Sequence, residues 1–204
     1  MRAQEFDERG QAHTLEAVVG AILILSSIGI ALQITIVTPL SASTSSQHIE
    51  TQQRATAQGV LAGAAEQGAL QEAVVFWNDN EGNFHDATAM GHYTDEPPDN
   101  AFGEMLNRSF DQEGIAYNVN VVAQTPSGGL TEQEMVFQGI PSDNAVTATR
   151  TIYLHKNDTL IDQDGSETDT TVSEADTFYI GDAQGEAENH LYNVVRVEVV
   201  VWRI

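Results

Sequence analysis

The segment Ala17–Val37 reads AVVGAILILSSIGIALQITIV, about 21 residues without a charge, and a helix over it is roughly 31 Å long, enough to cross the core of a bilayer. A run of this kind fixes what the rest of the chain can be: residues 41–204 form a body that hangs from a membrane anchor. A secretory signal has an apolar region of about 7–15 residues followed by a small-x-small cleavage site. The longer run here favours a retained helix. Cleavage near Ser41-Ala42-Ser43 is the alternative and would release a soluble domain. Arg2 and Arg9 precede the run, and no basic residue follows it before Arg54. The positive-inside rule therefore places the N-terminus in the cytoplasm and the C-terminal body outside.

The chain carries 30 acidic and 8 basic residues, a formal charge of −22, and a single lysine, Lys156. So strong a negative field opposes binding to nucleic acid or anionic headgroups, so neither is expected as a partner of the outer body. Disorder requires few apolar residues, yet 41% of this chain is apolar. A folded domain whose self-repulsion is screened by high salt is the better reading, and the lysine-poor, acid-rich composition resembles that of haloarchaeal proteins. Cysteine is absent, which excludes disulfides and thiolate metal sites.

Patterning beyond the run predicts an α+β protein: a long N-terminal transmembrane and stalk helix packed on an antiparallel sheet of about four strands. Thr38-Pro39 predicts an interruption of the helix, and Ser41–Ser46 reads as a meltable joint. Helical pattern resumes from Gln47 to about Trp77, with Ile49, Thr56, Val60, Leu70 and Val74 near one face. Gly59, Gly63 and Gly68 cost that helix about 1 kcal/mol each. Their expected use is close packing under the protein's own sheet; a Gly59-xxx-Gly63 pair also marks helix dimerisation inside membranes. Residues 78–100 read as loop. Ala101–Gln112 reads as an amphipathic helix with Phe102, Met105, Leu106 and Phe110 on one side, ended by Gly114. Strand patterns follow at 115–121, around Glu134–Gln138, at Asn144–Lys156 and at Tyr192–Ile204. Asp158–Asp176 is expected to be an acidic loop, followed by a short segment Thr177–Ile180. Val195, Val197, Val199 and Val201 alternate so densely that the last strand is expected inside the sheet.

Gly10-Gln11-Ala12-His13-Thr14-Leu15-Glu16, a leader with glycine just before the polar-to-apolar junction and glutamate in the first apolar turn, resembles the class III signal of type IV prepilins. That resemblance implies a prepilin peptidase that cuts after Gly10 on the cytoplasmic side, leaving Gln11 as the mature N-terminus and the apolar helix on the subunit. Pilin-like proteins place their glutamate at the fifth mature position. A cut after Gly10 makes Glu16 the sixth, whereas a cut after Gln11 restores the fifth but loses the favoured glycine. FWND, FGEMLN, GIAYNVNV, PSDNAVTATRTIYL and LYNVVRVEVVVWRI also resemble a haloarchaeal family of unassigned activity with pilin-like N-termini. The resemblance implies a leader at 1–10, a transmembrane or filament-core helix at 11–40, a stalk helix at 41–77 and an extracellular α+β head at 78–204 that forms one globular unit with the stalk.

Glu16 has a physical role under this reading. A carboxylate at the end of an apolar helix is costly unless paired. The freed α-amine of a neighbouring subunit is a natural partner, and one such contact per subunit sets axial register. Otherwise Glu16 simply marks the membrane boundary. Ala17 and Ala21, and Ser27 and Ala31, form two small-residue pairs that would let helices approach closely.

Chemistry-bearing motifs are sparse. His13, His48, His85, His92, His155 and His190 show no HExxH or tight ligand spacing, so they are read as solvated or boundary residues and no metal is expected. Asp162–Asp169 faintly resembles a calcium loop. Aligning Gly165 with that loop's invariant glycine puts Leu160 and Thr171 at its first and last ligand positions, so an EF-hand fails, and only a looser calcium site is left open. No nucleophile elbow, P-loop or dinucleotide fingerprint is present. Asn107-Arg108-Ser109 and Asn157-Asp158-Thr159 are sequons, with Asn157 the better acceptor. The expected function is a non-enzymatic, cofactor-free, minor pilin-like subunit of an archaeal type IV pilus or related surface filament. Its partners would be the prepilin peptidase, the membrane, and other pilin-like subunits. The alternative is a single-pass, membrane-anchored extracellular binding or adhesion protein that does not polymerise.

Overall fold

The computed structural model describes the backbone of residues 4–111, 114–185 and 190–204, and the side chains of 13–30 and of those same stretches from 47 onward. Two compact units divide the chain, Met1–Ile49 and Glu50–Ile204. Helix α1 runs Gln4–Glu66. It continues past Pro39 and the serine-rich stretch, so the interruption expected there is absent. Proline removes one hydrogen-bond donor and crowds one carbonyl, which bends a long helix more readily than it ends one.

In the second unit, Gln53, Ala57, Val60, Leu61 and Ala64 form a buried stripe on α1 at helical spacing. The glycines are not part of that stripe. A Cβ at Gly59 would meet nothing within 4 Å, and one at Gly63 only Gln67 Nε2 at 3.9 Å, so close packing under the sheet is not their role. Nor does one helix reach Trp77. Gly68 adopts φ 79°, a left-handed conformation that glycine enters without a Cβ clash. Helix α2 (Ala69–Val74) starts immediately after it and turns Leu70, Ala73 and Val74 into the core.

Trp77–Asn78 (β1) then pairs antiparallel with Asn83–Phe84 (β2), a small hairpin that takes in the expected end of the helix and the start of the expected loop. Helix α3 (Ala101–Phe110) is capped by Asn100, whose side chain accepts from the Gly103 N–H at 2.9 Å. Phe102, Leu106 and Phe110 are buried, and Met105 packs at the core margin, as the amphipathic pattern predicts.

Four strands make the main sheet: β3 (Ile115–Gln124), β4 (Leu130–Phe137), β5 (Val146–His155) and the C-terminal β8 (Leu191–Arg203), with the short β6 (Thr159–Ile161) and β7 (Glu167–Thr171) between the last two in the chain. Their order is β4-β3-β8-β5, antiparallel throughout. The C-terminal strand is interior, as its valines predict: Val195, Val197, Val199 and Val201 are fully buried. They share one apolar core with Ala57, Val60, Leu61 and Ala64 of α1, so the architecture is α+β.

The acidic segment is not simply a loop. Thr159–Ile161 (β6) pairs with Glu167–Thr171 (β7), and the Ile161 N–H donates to the Val75 carbonyl at 3.0 Å. Its few apolar residues account for this, because Leu160, Ile161 and Val172 are buried. Thr177–Ile180 forms no strand. Instead Tyr179 packs at a tilt against Trp77 and Phe84, with centroid distances of 4.8 and 5.3 Å, and donates its hydroxyl to the Val74 carbonyl at 2.9 Å.

Candidate functional site

Within α1, His13–Ile30 is long and apolar enough to cross a membrane, and none of it is buried in the protein. Consecutive residues on a helix point about 100° apart. Ile22, Leu23, Ile24 and Leu25, each more than half exposed, therefore cover its whole circumference rather than one stripe. A helix apolar on every side belongs inside lipid or among other helices. The Ser27 hydroxyl is satisfied locally, because its Oγ donates to the Ile24 carbonyl at 2.8 Å. A Cβ at Gly20 or at Gly29 would meet nothing within 4 Å, and Ala17 and Ala21 are exposed. The described part of the run thus offers small, flat positions where another helix backbone could approach.

Glu16 stands at the N-terminal end of this surface, with its side chain 84% exposed. His13 Nδ1 lies 3.8 Å from Glu16 Oε2, a loose contact on the same helix face that leaves the carboxylate open to a closer partner. Gly10 and Gln11, the expected cleavage residues, lie outside the residues whose side chains are described, as does Ala31.

The two sequons have different settings. Asn107 is exposed, so burial does not obstruct it, but it lies within α3. Asn157 is exposed in the turn between β5 and β6. That turn is fixed by the next residue: Asp158 Oδ2 accepts from the His155 N–H and from Gln71 Nε2, both at 2.8 Å. The Asp158 carboxylate faces the body, and the Asn157 side chain faces solvent.

The acidic hairpin uses its carboxylates on its own backbone. Asp162 Oδ1 accepts from the N–H groups of Asp164 and Ser166 at 3.1 and 3.2 Å. Among the described residues no group of three or more His, Asp or Glu side chains converges as metal ligands. Several histidines have local partners: His85 Nε2 lies 3.1 Å from the Ile161 carbonyl, and His92 Nδ1 3.5 Å from Glu134 Oε2. Burial pushes the hydroxyls of Tyr93, Tyr117 and Tyr179 above the usual tyrosine range. Burial, with Asp182 adding to it, takes Tyr192 to about 12. These four tyrosines stay protonated at neutral pH; Tyr93, Tyr179 and Tyr192 donate to the carbonyls of His85, Val74 and Ile180, whereas the buried Tyr117 hydroxyl has no hydrogen-bond partner among the described residues.

One groove was not foreseen in the sequence. Thr56, Gly59, Val60, Gly63, Met105, Arg108 and Ser109 line an open trough of about 360 Å³ between the last turns of α1 and α3. The glycine spacing was a legible signal for it, but pointed to a filled contact rather than an open one.

The chain belongs to a family of unknown function, DUF7288, which it matches over residues 9–201. No curated protein and no solved structure matches it.

Proposed function

We propose that this chain is a minor pilin-like structural subunit of an archaeal type IV pilus or related surface filament. In this reading it crosses the membrane once with its N-terminus in the cytoplasm, is trimmed after Gly10 by a prepilin peptidase, and joins other pilin-like subunits through the N-terminal helix. It carries out no reaction of its own.

The observation that carries this reading is the uncovered helix His13–Ile30, apolar around its whole circumference, with none of it buried. Lipid covers such a surface before assembly, and neighbouring helices cover it afterwards. Burial gains about 25 cal/mol per Å² of apolar area relative to water, so both environments are far better than solvent, and moving between them costs little. The last turns of α1 lie in the core beneath an antiparallel sheet, the arrangement expected of a pilin-like head. In this reading Glu16 pairs with a neighbour's α-amine, which is supported by its exposed side chain and by its loose described ionic contact to His13.

The test is the N-terminus of the mature protein, read by mass spectrometry of membranes from the native host. A start at Gln11 or Ala12 with the apolar helix retained is expected. An intact or Met-trimmed leader overturns the proposal and leaves a bitopic surface protein that does not polymerise. A start after Ser43 overturns it in favour of a secreted domain.

A further inference from the structure

We infer that Asn157, and not Asn107, carries an N-linked glycan. The inference rests on the outward placement of the head proposed above. Both asparagines meet the N-x-Ser/Thr requirement for N-glycosylation, but the backbone separates them. In an extended segment residues i and i+2 point to the same side, whereas in an α-helix they lie about 200° apart. Asn157 is exposed in the turn and Thr159, half-buried, opens β6, so the acceptor amide and the required hydroxyl lie on a turn-to-strand segment rather than on a helix. Asn107 and Ser109 sit within α3 and diverge around it.

The Asn157 turn is also held in a presenting shape. The Asp158 N–H donates to the His155 carbonyl at 3.0 Å, the Val172 N–H donates to the Asp158 carbonyl at 2.8 Å, and the Asp158 carboxylate is engaged by His155 and Gln71. Beside the acceptor lies an open cleft of about 330 Å³ lined by Gly68, Gln71, Glu72, Asp158 and Glu167. The carboxylates of Glu72 and Glu167 on its wall suit the hydroxyls of a first sugar ring.

The donor class is a glycan carried on a polyprenyl phosphate or diphosphate. Asn157 Nδ2 attacks the anomeric carbon and the C–N bond forms. The anomeric C–O bond breaks, the lipid phosphate leaves with the electron pair, and one amide proton passes to a base of the transferase.

Trypsin separates the two sequons, because Arg108, Arg150 and Lys156 lie between Asn107 and Asn157. The experiment digests the full chain from native-host membranes, alongside protease shaving of intact cells to place the head. Expected are whole-sugar mass additions on the peptide containing Asn157 and none on that containing Asn107. The additions should be lost in Asn157→Gln and Thr159→Ala and kept in Thr159→Ser. An unmodified Asn157 in a head that shaving shows to be outside overturns the glycan alone. An unmodified Asn157 in a head protected from shaving overturns the export reading as well. Sugar on Asn107 instead of Asn157 overturns the inference directly.

Discussion

Asp79 and Thr177, 98 residues apart, hold each other by main chain and side chain. The Asp79 carboxylate accepts from the Thr177 N–H at 2.7 Å, and the Thr177 hydroxyl lies 2.8 Å from the Asp79 carbonyl. The same carboxylate accepts from the Asp176 N–H at 3.0 Å. This clasp joins the turn after β1 to the end of the acidic segment. Trp77 Nε1 adds a contact to the Thr177 hydroxyl at 3.3 Å.

The clasp makes stability depend on acid. Burial alone would raise the Asp79 pKa, but the hydrogen bonds from Thr177 and Asp176 outweigh it and hold the carboxyl below its ordinary value of 3.8. A depressed folded-state pKa stabilises the fold fully above the unfolded carboxyl range, about pH 4, and that contribution fades as pH falls through the lower folded value. Asp79→Asn is expected to lower stability at pH 7 and to flatten the dependence below pH 4. Denaturation midpoints between pH 2 and 7 check it, and parallel curves for the two proteins would count against the clasp.

Asn193 closes the place where β3 and β8 part. Its side chain is fully buried; Nδ2 donates to the carbonyls of Gln124 and Gly181, both at 2.8 Å, and Oδ1 accepts from the Gln124 N–H at 3.2 Å. Asn193→Leu strands these backbone groups and is expected to cost about 2–4 kcal/mol. Chemical denaturation in detergent measures it, and a loss below about 1 kcal/mol would mean that water replaces the amide.

Two glycine substitutions should act with opposite sign. A Cβ at Gly103 would lie 1.8 Å from the Pro98 carbonyl oxygen, so Gly103→Ala forces the backbone before α3 to move and is expected to cost at least about 3 kcal/mol. Gly59 faces open space inside α1, so Gly59→Ala is expected to stabilise the isolated subunit by about 1 kcal/mol. Thermal melts of both variants decide, and a destabilised Gly59→Ala would reveal a contact made by another molecule.

Glu16→Gln tests the assembly role without touching the head. Leader processing and head melting temperature should stay unchanged, while the subunit recovered in sheared surface filaments falls at least tenfold. Undiminished incorporation would reduce Glu16 to a marker of the membrane boundary.

How much of this was legible depends on the range of the interactions. The apolar span, the face of α3 and the four long strands were readable because periodicity and run length act within one element. Phe102, Leu106 and Phe110 recur at helical spacing, and Val195 to Val201 alternate. The β1–β2 and β6–β7 hairpins were missed because their strands are only two to five residues long and acquire their pairing from distant partners, as where Ile161 meets Val75.

The sequence by itself determined that a charge-free helix needs lipid or other helices around it, that the body is α+β, and that β8 lies inside the sheet. Each follows from how much apolar surface one segment must hide. The tertiary structure alone decided that α1 stops short of Gly68, that Gly59 and Gly63 face a groove rather than the sheet, and that the acidic segment folds back on the body. These outcomes turn on which face of a helix meets the core and which backbone groups find partners, and neither is a property of any one segment.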